Sequence, residues 1–297
     1  MNVLFVADAP PDERRRWRLA LEAAAPELHW HEPGEAFAAA AIEAAVVANP
    51  RPGSLRGEPA LRLVQSVWAG VDRLMSDATL PAVPVARMVD PAMTAAMVQT
   101  ASWAVLSLHR GFFAYARQQQ EARWHPLPQR GADEVAVLVL GQGEMGRAVA
   151  QALQAMGYRV QGWRRGIALG PLLGSAGIVV NLLPLTPDTR GLLDATFFAA
   201  LPRGASIVNL ARGAHVNDAD LLQALDSGHL AHAVLDVFHI EPLPSDHAFW
   251  GHPQVSLLPH AAAQTDPRSA APVVAANLRA LRDGRPLCHV VDRERGY

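Results

Sequence analysis

The sequence contains no lysine. All 26 basic residues among its 297 amino acids are arginines. Without an amine side chain, the protein cannot form a Schiff base with a substrate or with pyridoxal phosphate, and it has neither a P-loop lysine nor a lysine general acid. These classes of chemistry are excluded before any motif is considered.

Cysteine, excess charge and long apolar runs are also scarce. The single cysteine, Cys288, excludes an intrachain disulfide and a multi-cysteine metal site, so we expect no metal and a reducing, cytoplasmic location. The net charge is −2 with no basic run, which argues against nucleic-acid or anionic-membrane partners. No apolar run approaches the length of a membrane span. The apolar residues 3–7, followed by Asp8 and two prolines, predict a first strand and not a signal peptide.

The stretch from Val135 to Trp163 has the pattern of a dinucleotide-binding unit. An apolar run over 135–140 predicts a buried parallel strand, and Gly141-Gln-Gly-Glu-Met-Gly146 follows at once. Apolar residues then recur at helical spacing up to Met156, before a second strand over 158–163. The glycines allow a tight turn, close approach of a pyrophosphate to the helix N-terminus, and close helix–strand packing. The alternative is an ordinary strand-to-helix turn without a ligand.

Strands and helices alternate along the rest of the chain, which predicts an α/β fold. We predict a Rossmann-type doubly wound parallel sheet domain and a smaller α/β domain before it, with the boundary near Asp90-Pro91. The second domain begins with a long helix over Ala92–Arg110. Its later elements are predicted as strands at 178–183, 206–210, 233–238 and 255–258, a helix at Thr186–Leu201, and helices at 218–226 and 267–282; a last strand is predicted at Leu287–Val291.

Polar side chains follow three successive predicted strands of this second domain. Arg212 follows the strand ending at Leu210, Glu241 follows the one ending at Phe238, and His260 follows Val255–Pro259. Because ligands of open α/β sheets bind at the carboxyl ends of the strands, all three should face one crevice. Each residue alone would be read as a solvated loop residue, but their joint placement beside a dinucleotide motif favours a catalytic group.

With these residues in view, the sequence resembles the D-isomer-specific 2-hydroxyacid dehydrogenases over essentially its whole length, most closely their glyoxylate/hydroxypyruvate reductase A branch. The resemblance is carried by the glycine motif, Asn181-Leu-Leu-Pro184-Leu-Thr-Pro187, Asn209-Leu-Ala-Arg212-Gly213, Leu235-Asp236-Val-Phe-His-Ile-Glu241-Pro-Leu243 and Pro259-His260, and for the branch by Ser66 to Asp72, Trp163-Arg164 and the chain end Val291–Tyr297.

The resemblance implies roles for the strand-end residues. Arg212 would bind the substrate carboxylate and polarise its 2-oxo group, His260 would be the general acid, and Glu241 would hold and charge its imidazole. The backbone amides of Ala69, Gly70 and Val71 would bind the substrate carboxylate. The implied activity is NAD(P)H-dependent reduction of a small 2-oxoacid.

The resemblance also implies a discontinuous, flavodoxin-like substrate domain. It would comprise residues 1–91 and return as residues 267–297, with residues 92–266 forming the dinucleotide-binding domain. The chain departs from its relatives in the connector Arg164–Gly177, which is markedly shorter and for which we predict a loop with one helical turn.

The end of the second strand predicts the cofactor. NAD-specific units place an acidic residue there for the ribose 2′-hydroxyl, whereas this chain has Trp163-Arg164-Arg165, which suits the 2′-phosphate of NADP. We therefore expect NADP to be preferred, with NAD possible. The residues predicted to contact the cofactor, including those implied by the resemblance, are Gly141, Gln142, Gly143, Glu144, Met145, Gly146, Trp163, Arg164, Arg165, Leu183, Pro184, Ala211 and Asp236.

A homodimer is the remaining expectation. The apolar residues Trp103, Val105, Leu106, Phe112 and Phe113 exceed what one helix normally buries, and relatives of this fold are commonly dimers. Two other functions stay open. The first is a dinucleotide-sensing interaction protein like the corepressors of this family, which the complete Arg/Glu/His set argues against. The second is a β-hydroxyacid dehydrogenase, which would need a catalytic lysine.

Overall fold

A computed structural model describes residues 1–35 and 41–297 of the chain. The chain divides into two compact units, one formed by Met1–Met93 with Thr265–Tyr297 and the other by Thr94–Gln264. Each unit contains a single, entirely parallel sheet with interleaved helices, so the predicted α/β class is confirmed. Among the described residues, no helix is both long enough and apolar enough to span a membrane.

The first unit is a five-stranded sheet in the order β2-β1-β3-β4-β5. Its central strand β3 is apolar and almost entirely buried, as expected where helices cover both faces of a parallel sheet. A buried hydrogen bond of 2.7 Å from Asn277 to Gln65 ties the returning helix α9 to strand β4. Its elements are β1 (Asn2–Ala7), α1 (Pro11–Ala24), β2 (His29–His31), β3 (Ile42–Ala48), β4 (Leu63–Ser66), α2 (Asp72–Met75), β5 (Val85–Ala86) and α9 (Pro267–Arg282).

The second unit is a six-stranded sheet in the order β11-β10-β9-β8-β6-β7. Strands β6, β8 and β9 form its centre, and apolar side chains from both of their faces fill two core clusters. Its strands are β6 (Ala136–Leu140), β7 (Arg159–Trp163), β8 (Ile178–Asn181), β9 (Ala205–Asn209), β10 (Leu230–Leu235) and β11 (Val255–Leu257). Its helices are α3 (Pro91–His109), which starts in the first unit, α4 (Phe112–Gln120), α5 (Glu144–Ala155), α6 (Gly170–Leu173), α7 (Ala195–Ala199) and α8 (Asp218–Asp226).

Strand β7 lies at the edge of this sheet. In the usual doubly wound order a further strand pairs outside the second one, but in the described part of this chain no strand lies beyond β7. The connector from Arg164 to Gly177 contains only the single helical turn α6, as its length and glycine content predicted. Arg164 and Arg165, which follow β7, are exposed beside this open sheet edge.

Some of the apolar side chains predicted to form a dimer surface lie inside the second unit instead. Val105 is fully buried inside the second unit, and Leu106 and Phe113 pack against the same core. The prediction that Val105 belongs to a surface between subunits was wrong, because its side chain faces the sheet. Trp103 and Phe112 remain 41% and 53% exposed.

Two predicted elements are not formed as expected. The segment predicted as a helix from Thr186 to Leu201 is helical only in α7, because the Thr189 hydroxyl instead caps a local turn and Gly191 adopts a positive φ of 65°. The strand predicted at Leu287–Val291 is reduced to a single antiparallel bridge between Val290 and Ala86, next to His289 at φ 56°.

Candidate active site

Three neighbouring strands bring the predicted catalytic residues together. Strands β9, β10 and β11 are adjacent and parallel, so their carboxyl ends lie at one edge of the sheet. Arg212 follows β9, Glu241 follows β10 and His260 follows β11. The sequence thus places a guanidinium, a carboxylate and an imidazole side by side at the edge where open α/β sheets bind ligands.

His260 and Glu241 form a short, charge-assisted pair. His260 Nδ1 lies 2.6 Å from Glu241 Oε2, and Glu241 Oε1 accepts a 2.8 Å hydrogen bond from the amide of Phe238. This hydrogen bond to Glu241 raises the pKa of His260 above its ordinary value, against the opposing effect of burial. Burial alone would raise the pKa of Glu241, but the hydrogen bonds from His260 and Phe238 lower it below its ordinary value. The pair therefore favours an imidazolium beside a carboxylate.

The backbone of His260 is held in an uncommon conformation. Its φ of 52° lies in the left-handed region, which costs energy for a residue with a side chain. Asp236 supports this loop: its carbonyl accepts the amide of His260 at 2.8 Å, and its carboxylate accepts the amides of Ala261 and Ala262 at 2.7 and 3.2 Å. Asp236 is 1% exposed, and burial raises the pKa of its carboxyl. The structure thus gives Asp236 a supporting position beneath His260, while its predicted contact with the nicotinamide stays a prediction.

Arg212 reaches the same edge through a close crossing of two loops. A Cβ at Gly213 would overlap the backbone of Phe238, so only glycine lets the loop after β9 approach the loop that carries Glu241. Arg212 Nη1 donates to the carbonyl of Ala211 at 2.7 Å. The guanidinium is partly exposed, and its positive charge acts on both Glu241 and His260 to lower their pKa values.

A buried polar network lies directly behind Arg212, and sequence reasoning missed it. Asn181 Nδ2 donates to Asn209 Oδ1 at 3.0 Å and to His215 Nδ1 at 2.9 Å, and all three side chains are 0% exposed. Asn209 Nδ2 in turn donates to the carbonyl of Arg212 at 3.0 Å. On the other side, Asn181 Oδ1 accepts the amide of Leu183 at 3.2 Å. The available signal was the asparagine that ends each of two apolar strands, β8 and β9.

The network holds in place three of the residues predicted to contact the cofactor. With Nδ1 of His215 accepting from Asn181, its Nε2 carries the proton and donates to the carbonyl of Pro184 at 3.3 Å. Ala211 donates its amide to Asn209 Oδ1 at 3.3 Å. Leu183, Pro184 and Ala211 are thus tied by one set of hydrogen bonds to the backbone of Arg212.

The glycine-rich loop has the shape that a dinucleotide requires. A Cβ at Gly146 would overlap the carbonyl of Gly141, so helix α5 packs against the end of β6 more closely than any other residue would allow. A Cβ at Gly143 would meet open space, so the loop offers room beside the amino end of the twelve-residue helix α5. Gln142 folds back onto the carbonyls of Val139 and Gly141. Met145 packs against the core beneath, and Glu144 pairs with Arg147. These residues fit a nicotinamide dinucleotide.

The residues that end β7 lie beside this loop. Trp163 Nε1 donates to the carbonyl of Ile167 at 2.7 Å, which closes the turn that carries Arg164 and Arg165. Both arginines are exposed, and Arg165 Nη2 lies 2.8 Å from Asp188 Oδ2. Asp188 belongs to the turn after β8 and was not identified from the sequence.

The predicted substrate turn belongs to the first unit. Ala69, Gly70 and Val71 connect β4 to α2. Across the residues that the structure describes, their backbone amides donate no hydrogen bond. Trp68 packs edge-on against Trp17 with ring centroids 6.0 Å apart, so its ring is part of the packing of this unit.

Comparison with known proteins places this geometry in a family. Residues 102–262 match the family model described as "D-isomer specific 2-hydroxyacid dehydrogenase, NAD binding domain". A glyoxylate/hydroxypyruvate reductase A of Serratia proteamaculans (strain 568) is 38% identical, with 100% of both chains covered. A D-isomer specific 2-hydroxyacid dehydrogenase from Xanthobacter autotrophicus Py2, solved with NADPH and MES, is 38% identical with a TM-score of 0.94 over 100% of this chain and 99% of that chain.

A second solved relative is the NADPH-dependent glyoxylate/hydroxypyruvate reductase of Sinorhizobium meliloti in complex with NADP and sulfate. It is 34% identical with a TM-score of 0.92, over 100% of this chain and 99% of that chain. Family model, full-length relatives and fold agree. The chain belongs to the D-isomer specific 2-hydroxyacid dehydrogenases, within their glyoxylate/hydroxypyruvate reductase A branch, and is an NAD(P)-dependent enzyme of that family.

Proposed function

We propose that this enzyme reduces small 2-oxoacids of the glyoxylate and hydroxypyruvate type with NADPH, and that His260 is the proton donor. The observation that carries the proposal is the 2.6 Å pair between His260 and Glu241, which stands beside Arg212 at the carboxyl ends of three adjacent strands. The names of the similar reductases from Serratia proteamaculans and Sinorhizobium meliloti support the substrate class.

The nicotinamide would supply the hydride to the 2-oxo carbon. Arg212 would bind the carboxylate next to that carbon and polarise the carbonyl oxygen through its planar fork of donors. Because Nδ1 of His260 is engaged by Glu241, Nε2 is the nitrogen that would give its proton to this oxygen. The imidazole, 51% exposed, would then recover a proton from solvent.

The substrate is expected to be a small acid with its carboxylate adjacent to the carbonyl. The amides of Ala69, Gly70 and Val71 would provide further donors to that carboxylate, since nothing in the described residues accepts them. In this proposal the first unit is the substrate-binding domain and supplies these backbone donors, while the second unit binds the cofactor and carries Arg212, Glu241 and His260. Asp236 would contact the nicotinamide carboxamide.

NADPH is proposed as the preferred cofactor because Arg164 and Arg165 are exposed at the end of β7, where an NAD-specific unit would place a carboxylate. Two guanidiniums can bind a 2′-phosphate through charge-assisted hydrogen bonds. The relatives solved with NADPH or NADP support this assignment.

A homodimer in the cytoplasm completes the proposal. The exposed Trp103 and Phe112, on α3 and α4, would be buried against a second copy. Light scattering at micromolar concentration should then give twice the mass of the 31.9 kDa chain. A monomer would rule this arrangement out.

The test of the proposed function is a panel of 2-oxoacids against both reduced cofactors, followed by absorbance at 340 nm. Glyoxylate and hydroxypyruvate should be reduced, with a higher kcat/KM for NADPH than for NADH. Simple aldehydes of similar size, which lack the carboxylate, should be poor substrates. Efficient reduction of those aldehydes would refute the substrate class, and an equal or higher kcat/KM with NADH would refute the cofactor preference.

A further inference from the structure

The ion pair between Arg165 and Asp188 joins two segments on either side of the cofactor loop. Arg165 follows β7 and Asp188 follows β8, and the sheet order places β6 between those strands. Because neighbouring strands lie about 4.8 Å apart, the ends of β7 and β8 are about 10 Å apart. The ion pair between Arg165 and Asp188 therefore bridges the two sides of β6, the strand that leads into the glycine-rich loop at Gly141.

Arg165 and Asp188 each lie in a turn that is held by hydrogen bonds. The hydroxyl of Thr189 donates to the carbonyl of Pro184 at 2.8 Å and accepts the amide of Thr186 at 2.8 Å, and both threonines are buried. Asp188 lies inside this turn, so its backbone has a defined position. On the other side, the 2.7 Å hydrogen bond from Trp163 to Ile167 closes the turn that contains Arg165.

The pair itself is exposed and easily opened. The side chains of Arg165 and Asp188 are 50% and 71% accessible, and ion pairs of this kind stabilise a protein only slightly. A phosphate offers three acceptor oxygens and up to two negative charges to the same guanidinium, whereas Asp188 offers one carboxylate. A ligand phosphate can therefore displace Asp188, although at a cost.

We propose that Asp188 is a specificity-determining residue that competes with the 2′-phosphate of NADP for the guanidinium of Arg165. Asp188 holds Arg165 over the cofactor loop when the 2′-phosphate is absent, and recaptures it as the oxidised cofactor leaves. This inference rests on the proposed recognition of the 2′-phosphate by Arg164 and Arg165. It predicts that Asp188 weakens the binding of 2′-phosphorylated nucleotides and leaves other adenine nucleotides unaffected.

The competition can be measured by binding, without turnover. Isothermal titration of the purified full-length enzyme with 2′,5′-ADP and with 5′-AMP compares ligands that differ in the 2′-phosphate. Asp188→Asn should lower the Kd for 2′,5′-ADP about two- to fivefold, the range that exposed ion pairs support, with no change for 5′-AMP. Asp133→Asn is the matched control, because it removes the same charge from an exposed site before the amino end of β6. It should leave both Kd values unchanged.

A double mutant separates competition from simple charge repulsion. In an Arg165→Met background, Asp188→Asn should no longer change the Kd for 2′,5′-ADP, since the contested guanidinium is gone. If the gain persists in that background, Asp188 acts by repulsion alone and the inference is overturned.

The remaining outcomes distinguish this inference from the proposed cofactor preference. If wild type binds 2′,5′-ADP more tightly than 5′-AMP but Asp188→Asn changes neither Kd, the NADPH preference stands and the role of Asp188 is refuted. If wild type binds the two nucleotides equally, recognition of the 2′-phosphate fails and the inference fails with it.

Discussion

Nδ1 of His260 lies 2.6 Å from Oε2 of Glu241, although the two residues are carried by loops after different strands. The hydrogen bond raises the pKa of His260, so the imidazole retains its proton to a higher pH than an isolated histidine. A general acid needs this property, since it must be protonated when the substrate carbonyl is reduced.

The first prediction concerns pH and Glu241→Gln. Reduction requires protonated His260, so kcat should be full at low pH and fall as pH rises through the raised pKa. Oxidation of the hydroxyacid requires the neutral imidazole and should rise over the same range. Replacing Glu241 by Gln removes the carboxylate that stabilises the imidazolium, so both profiles should move to lower pH. Profiles of kcat that do not move would contradict the pairing.

The second prediction concerns Arg212→Lys. Lysine keeps the charge but lacks the planar fork, so transition-state stabilisation should fall by at least about 2 kcal/mol, roughly 30-fold in kcat/KM. Arg203→Lys is the control, because Arg203 is exposed before the amino end of β9. It should be neutral. A near wild-type kcat/KM for Arg212→Lys would remove Arg212 from the catalytic group.

The third prediction concerns Gly213→Ala. The added methyl group would overlap the backbone of Phe238 and force apart the loops that carry Arg212 and Glu241. We expect a loss of kcat/KM and a lower melting temperature. At Gly251 a Cβ meets open space, so Gly251→Ala should change neither quantity. If both variants behave alike, the close crossing does not matter for activity.

The fourth prediction concerns the buried network. Asn209→Leu keeps the branching and heavy-atom count of the side chain but removes its hydrogen bonds to Asn181 Nδ2, to the amide of Ala211 and to the carbonyl of Arg212. A buried hydrogen bond contributes about 0.5–1.5 kcal/mol, so the loss of three should lower the free energy of unfolding measured in urea by about 1.5–4.5 kcal/mol. kcat should fall as well, because the backbone of Arg212 loses the hydrogen bond from Asn209. An unchanged free energy of unfolding would show that the network is not needed.

The sequence predicted those parts of the site whose chemistry is local. The glycine motif and the residues that follow successive strands could be located because parallel strands end at one edge of a sheet. The short turn between Arg164 and Gly177 followed from its length and glycine content, and α6 confirms it.

Contacts that depend on which strands are neighbours could not be predicted. Asn181 meets His215 only because β8 and β9 pair in a particular register, and Arg165 meets Asp188 only because β7 and β8 flank β6. The helix expected over Thr186–Leu201 forms only at Ala195–Ala199; its first part was wrong because a threonine hydroxyl bonded to the backbone competes with helix formation.

The most direct test of His260 as the proton donor is kcat for NADPH oxidation with hydroxypyruvate by His260→Asn, measured alongside the Kd of the same variant for NADPH. We expect a loss of about 10²–10⁴ in kcat, the usual contribution of a positioned acid, with the Kd largely unchanged. A folded variant that binds NADPH and keeps most of its reductase rate would show that His260 is not the proton donor.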